Sequence, residues 1–390
     1  MKFVMYGAGS VGRGFIGPLF ANAGYEVVFV DIDRRIIDAL NNRREYFYSI
    51  AADPSYDIAV RGVRGVDGAD KTAIFDEIAS CDLMATALGA AVLRAVAPTI
   101  AGAFSLRMRR SGRPLDILIC ENLKNAAQHL KDWLEETLPD EDKPFLADKL
   151  GLVETAIGRM IPVAAPNRDD PLHITVEEYG FLPADKAAFA GTLPEAKGLI
   201  LYSPFAFYEE RKLYLHNMGH AICAYLGLRL GFKTTSQAIS DPSICYITHS
   251  AMVESAAMLS GKYNIPFARI FDHAEDLLYR FGNVALGDTC ERVGRDPMRK
   301  LEAGDRLAGA LRLCWEAEIY PVFIALGYAA ALRHVTDDIN AATDIAEKTG
   351  GLSKEQIKVV TGLFTAFDKS ILELIKTAEL IKKQLRGNIV

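Results

Sequence analysis

Lys212, Asn217 and His220 place a base, an amide and an imidazole along one short stretch, with Glu209 just ahead of them. Those residue types suit proton transfer at an alcohol or carbonyl oxygen. A lysine can take or return the proton while an amide and an imidazole hold the oxygen as its charge changes. At about 100° per residue, Glu209, Lys212, His216, Asn217 and His220 fall within about 140° of each other on a helical wheel, and Leu213 and Leu215 point elsewhere. An ammonium desolvated in a closed cleft loses basicity, which fits Lys212 for the role of base, and Glu209, one turn earlier, is placed to relay its proton. His216 and His220 also have the i, i+4 spacing of a zinc-binding H-E-x-x-H helix. The chain reads His216-Asn217-Met218-Gly219-His220, with asparagine where the general-base glutamate would stand, so no metal is expected.

The second stretch is at the N-terminus, where the apolar run Phe3 to Tyr6 stops in Gly7-Ala8-Gly9-Ser10-Val11-Gly12. A strand, a tight glycine turn and a helix whose N–H groups point at an anion form a pyrophosphate cradle. Gly7 is expected to make the turn, Gly9 to let the backbone approach the diphosphate, and Gly12 to seat the helix on the strand. Asp31 ends a second apolar run, Glu26 to Val30, nineteen positions beyond Gly12. A carboxylate there accepts from ribose hydroxyls and repels an added 2′-phosphate, which points to NAD over NADP, although Arg34 and Arg35 blur the preference. The cofactor-binding candidates are Gly7, Ala8, Gly9, Ser10, Val11, Gly12, Arg13 and Asp31, with Thr86 and Glu121 at the ends of two later strands.

These groups must be carried by elements, and the pattern supplies them. From Lys2 to about Ser203 short apolar strands alternate with helical stretches, the rhythm of an α/β, Rossmann-type doubly wound sheet. The expected elements include a helix from Val11 to Ala23 ended by Gly24 and strands at 82–87, 115–120, 151–161 and 173–180. A helix follows Leu88-Gly89 to about Ala103, and a loop spans Pro162 to Pro171. Beyond Pro204 the texture becomes mainly α-helical, with helices expected at 205–230, 242–262, 267–280, 303–316, 320–333, 339–348 and 353–384. The reading is two domains, 1–203 for the nucleotide and 204–390 for substrate and catalysis, with substrate between them.

Composition narrows the class. Half of the 390 residues are hydrophobic, 24% are charged, and the formal net charge is −6, so nothing favours nucleic acid or an anionic membrane. The N-terminus lacks the basic and apolar segments of an export signal, and no window approaches ~18 apolar residues, so a cytoplasmic protein is expected. The six cysteines have no C-x-x-C spacing and read as buried free thiols.

Lys212-x4-Asn217-x2-His220, the N-terminal glycines and Cys120-Glu121-Asn122 together resemble the polyol-specific long-chain dehydrogenases of the mannitol dehydrogenase family. The likeness covers nearly the whole chain. It is strongest toward members acting on hexitol phosphates, through GAGSVGRGFIG at 7–17, ICENL at 119–123, ERKLYLHNMGHAICAYLG at 210–227 and RVGRDPMRKLEAGDRL at 292–307. The resemblance implies a zinc-independent enzyme with Lys212 as acid/base, Asn217 and Asn122 forming the oxyanion pocket, His220 orienting substrate and Glu209 as proton relay. It implies D-mannitol 1-phosphate and D-fructose 6-phosphate as substrates, with Arg292, Arg295, Arg299, Lys300 and Arg306 available to clamp the phosphate of a small sugar phosphate. Glu291, Asp296, Glu302 and Asp305 are equally available to pair with those bases. One departure stands at Gly158-Arg159-Met160-Ile161-Pro162, where phosphate-specific members often have Asp-Arg before Ile-Val-Pro. A dehydrogenase for unphosphorylated polyols or sugar acids, and a nucleotide-binding protein without turnover, stay open as alternatives.

Overall fold

The structure is a computed structural model that describes residues 1–51, 53–162 and 170–387. The chain divides into two compact units, Met1–Ala206 and Phe207 onward.

In the first unit the strands are β1 (Lys2–Tyr6), β2 (Glu26–Asp31), β3 (Glu45–Ile50), β4 (Asp53–Arg61), β5 (Val63–Asp67), β6 (Leu83–Thr86), β7 (Leu115–Ile119), β8 (Leu150–Glu154), β9 (Ile174–Val176), β10 (Leu182–Asp185) and β11 (Leu199–Tyr202). Six of them form a parallel sheet in the order β5-β2-β1-β6-β7-β8. The chain winds outward from β1 through β2 and β5, then crosses to β6 on the other side. The reversal opens a crevice at the carboxyl ends of β1 and β6. Strand residues are apolar on both faces because both faces are covered. Phe3, Met5, Val27, Phe29 and Ala85 join one buried cluster; Val4, Tyr6, Val28, Val30, Met84 and Ile117 join the other.

Several elements differ from the sequence pattern. The strand expected at 151–161 leaves the sheet after Glu154, where Thr155 bridges Ala184 instead. The strand expected at 173–180 is only Ile174–Val176 and belongs to a separate sheet, β4-β3-β9. Local periodicity carries no information about that pairing. The expected loop Pro162 to Pro171 falls mostly outside the described residues. The alanine-rich helix runs on to Arg110. By length and composition it could span a bilayer, contrary to the window count above; it packs on the sheet through Leu93, Ala97, Ile100 and Phe104.

The second unit is helical. Ala206–Glu210, Arg211–Asn217 and Met218–Arg229 follow one another without a break, and the middle segment is a π-helix. Pro242–Tyr263 and Val322–Val335 supply most of the remaining core, with Met252, Leu259, Phe323 and Tyr328 buried. The long helix expected at 353–384 is two, Lys354–Ala366 and Ile371–Gly387. Arg229 interrupts it from another helix by donating to the carbonyls of Phe367 and Lys369 and stacking 4.7 Å over the Phe367 ring. All six cysteines are free, and all but the half-buried Cys245 are buried.

Candidate active site

The glycine turn follows β1 directly. Gly7 has φ +109°, a conformation that favours glycine, and a Cβ there would stand 2.5 Å from the Ala87 carbonyl oxygen. A Cβ on Gly12 would collide with the Gly7 carbonyl. Around Gly9, by contrast, nothing lies within 4 Å, so an anion can approach its backbone. Gly9 and Ser10 are exposed and Val11 is half-buried. Asp31, at the end of β2, ties the turn down. Its Oδ2 accepts from the Ala8 N–H at 2.7 Å and its Oδ1 from the Asp33 N–H at 3.0 Å. Next to it Ile32 is 83% exposed, an apolar surface at the mouth of the crevice that the sequence reading passed over. Arg34 pairs with Asp67 at 2.6 Å and Arg35 with Asp33 at 2.8 Å, so both arginines that blurred the NAD preference have acidic partners. An open glycine backbone, a carboxylate at the strand tip and an exposed apolar side chain fit a dinucleotide without a 2′-phosphate.

Three candidates are placed differently from the expectation. Arg13 is buried with its guanidinium turned inward, donating to the carbonyls of Ala8 at 2.6 Å, Pro171 at 2.8 Å and Leu172 at 2.7 Å. It braces the turn and does not face the crevice. Thr86 is fully buried, its hydroxyl enclosed without a partner among the described residues. Glu121 is nearly buried, and its two oxygens accept from the N–H groups of Leu88 and Gly89 at 2.8 and 2.7 Å. Asn122, the next residue, is exposed.

In the second unit the helical wheel needs correction. Arg211–Asn217 closes i→i+5 turns. A wider turn of that kind reduces the angle between residues five apart, and Lys212 and Asn217 are five apart. They mark the two extremes of the 140° spread on an ideal α-helix, so the π segment draws the polar face together. Lys212 and Asn217 are half-buried and Glu209 is exposed. His216 is buried, and burial, with Arg280, His220, His273 and Lys212 as lesser causes, holds its imidazole well below the usual range. His220 stacks on Phe281 at 4.7 Å with the rings 9° apart. Burial, then Arg292, Arg306 and Arg280, pushes it down to about 3, which favours the neutral imidazole. Its Nε2 stands 3.4 Å from Asp288 Oδ2, a residue the sequence reading did not single out. Nothing local marks Asp288, because it lies far along the chain and reaches His220 only through the fold.

The basic run packs beside this imidazole. Arg292 pairs with Asp288, Arg299 and Arg306 share Asp305 at 3.1 and 2.7 Å, and Arg295 makes an exposed 3.8 Å contact with Asp296. Of the acids considered from sequence, Asp305 and Asp296 are used in these pairs. Lys300 is 3% exposed, with no hydrogen bond or ion pair among the described residues. Burial, then Arg306 and Arg299, pushes it down to about 8.

Sequence comparison matches residues 1–198 to the mannitol dehydrogenase Rossmann domain and residues 205–385 to the mannitol dehydrogenase C-terminal domain. The chain belongs to the mannitol dehydrogenase family. Among solved structures it is similar to a substrate-free D-sorbitol dehydrogenase, at TM-score 0.79 and 14% identity over 97% of this chain and 94% of that one. It is also similar to Pseudomonas fluorescens mannitol 2-dehydrogenase, solved as a ternary complex with NAD and D-mannitol, at TM-score 0.71 and 14% identity over 98% and 94%. At that identity the likeness is one of fold.

The segment Gly158–Pro162 departs from the Asp-Arg pattern noted above for phosphate-specific members of the mannitol dehydrogenase family, and its packing gives a reason. A Cβ at Gly158 would come 3.1 Å from the Tyr179 ring, leaving little room for a carboxylate. Arg159 remains and is engaged inward, donating to the carbonyls of Glu177 at 2.8 Å and Gly14 at 3.0 Å and lying over the rings of Phe15 and Tyr48.

Proposed function

We propose that this member of the mannitol dehydrogenase family is a mannitol-1-phosphate 5-dehydrogenase, interconverting D-mannitol 1-phosphate and D-fructose 6-phosphate without a metal. NAD is the cofactor, and when bound at the glycine turn it supplies the two-electron chemistry. Lys212 is the general acid/base. It takes the alcohol proton in oxidation and returns it to the carbonyl oxygen in reduction, with Glu209 relaying it to water. Asn217 and Asn122 donate to that oxygen as its charge grows. His220, neutral and stacked on Phe281, orients the substrate hydroxyls. The partner is a small sugar phosphate, not nucleic acid or membrane, and the compartment is the cytoplasm.

The observation that carries the phosphate assignment is the clustering of Lys300 with Arg299 and Arg306. Two arginines share Asp305, and the nearly buried Lys300 makes no direct ion pair among the described residues, Asp296 and Asp305 acting on it only through space. A buried cation left unpaired is expensive unless an anion completes it, and a phosphate would do so. The test is NADH oxidation with fructose 6-phosphate against fructose. The reading expects kcat/KM at least about 100-fold higher for the phosphorylated sugar, about 3 kcal/mol in transition-state binding. Equal values would remove the phosphate from the assignment and leave an unphosphorylated polyol or sugar-acid dehydrogenase.

A further inference from the structure

Glu121 stands directly beyond Cys120 at the carboxyl end of the sheet, where a carboxylate would ordinarily be read as a ligand. Its geometry says otherwise. Both oxygens are occupied by backbone N–H groups, those of Leu88 and Gly89, and no lysine or arginine pairs with it among the described residues. These N–H groups belong to the turn between β6 and the helix Ala90–Arg110. Gly89 is the N-cap of that helix at φ +86° and offers no side-chain cap. The carboxylate of Glu121 therefore acts as a cap from outside the helix, and its charge is favoured at the helix N-terminus.

The turn it grips is one wall of the crevice. Ala87 donates to the Tyr6 carbonyl at 2.9 Å, and its own carbonyl abuts Gly7, close enough to exclude a Cβ there. The glycine turn and the Ala87–Gly89 turn thus face each other where the winding of the sheet reverses. Glu121 fixes the second against the first, and the same residue is joined through one peptide bond to Asn122.

We propose that Glu121 is a positioning residue that sets the width of the dinucleotide crevice by holding the Leu88 and Gly89 amides, and does not itself bind the cofactor. This rests on the NAD reading of the glycine turn. Glutamine in its place keeps the volume, but its NH2 group would face one of the two amides, donor against donor, and release it.

The test is Glu121→Gln, read in two ways. Hydrogen exchange of the 87–93 amides, with no cofactor present, should speed up about tenfold or more. NADH affinity by fluorescence titration should weaken about tenfold, with KM for NADH rising more than KM for the sugar phosphate. Exchange unchanged with weakened NADH binding would make Glu121 a direct ligand and overturn the proposal. Faster exchange with NADH affinity within about twofold of wild type would overturn it as well. Glu121→Asp keeps the charge and loses reach, so it should show both changes in smaller degree, and it takes the place of the glutamine variant if that fails to fold. Wild-type protein that bound no NADH would fail the cofactor reading before any variant was made.

Discussion

The glycine turn and the polar helix at 206–229 embody two ways of building a site. In the turn the working groups are backbone atoms, and side chains matter mainly where they are missing: Gly7 and Gly12 have no room for a Cβ and Gly9 leaves open space. In the helix the working groups are side chains whose properties come from distant parts of the second unit, with Asp288 at Nε2 of His220, Phe281 on its face and Arg292 and Arg306 acting on its charge. A backbone site is written in consecutive residues. A side-chain site of this kind exists only once the unit has packed.

That contrast predicts different failures, and the deepest belongs to the helix. Lys212→Ala should lower turnover by about 10³-fold or more while NADH affinity stays within about twofold, seen by steady-state kinetics beside fluorescence titration. Comparable loss of NADH binding would mean the two regions are not separable. Gly12→Ala should do the reverse, weakening NADH binding by about 100-fold because the turn must open to admit the methyl group. A variant that binds NADH normally would break the backbone side of the comparison.

Lys300→Met sharpens the side-chain half. Removing a buried cation that makes no ion pair among the described residues should leave Tm unchanged or raised, yet lower kcat/KM for fructose 6-phosphate about 10- to 100-fold with little effect on fructose. Asp31→Ala should cut the preference for NADH over NADPH by about tenfold, measured as the ratio of kcat/KM values.

The smallest effect concerns the scaffold of the second unit. Glu254 is buried against the Phe323 and Ile324 amides and Lys382, and burial raises it from 4.5 to about 7 despite those partners. A carboxyl raised by folding contributes stability that is fully present below its unfolded value near 4.5 and is lost as pH rises through about 7. Glu254→Gln should therefore flatten the fall of Tm between pH 5 and 8 by about 2 °C or more. An unchanged slope would move the pH dependence to another group.

Legibility in the sequence followed the same division. The β1 turn, β2, Asp31, β7 and the helical second half could be read because each depends on neighbours within a few residues. Thr86 and Glu121 sit where the strand ends suggested and Arg13 where the glycine turn put it, but whether a side chain there faces the crevice or the interior depends on what packs against it. Ile174–Val176 reads as a strand, and its partner β3 is more than a hundred residues away. Lys354–Leu385 reads as one helix until Arg229, from another element, takes two of its carbonyls.

By itself the sequence determined the fold class, the family and the dinucleotide turn. Backbone conformation and hydrophobic period are local properties, and glycine, proline and apolar spacing encode them directly. The tertiary structure decided which charges are paired and which are left over. It left Lys300 with no ion pair among the described residues, engaged Glu121 with two amides and set Asp288 at His220, because burial and distance across the fold determine what a charged group does.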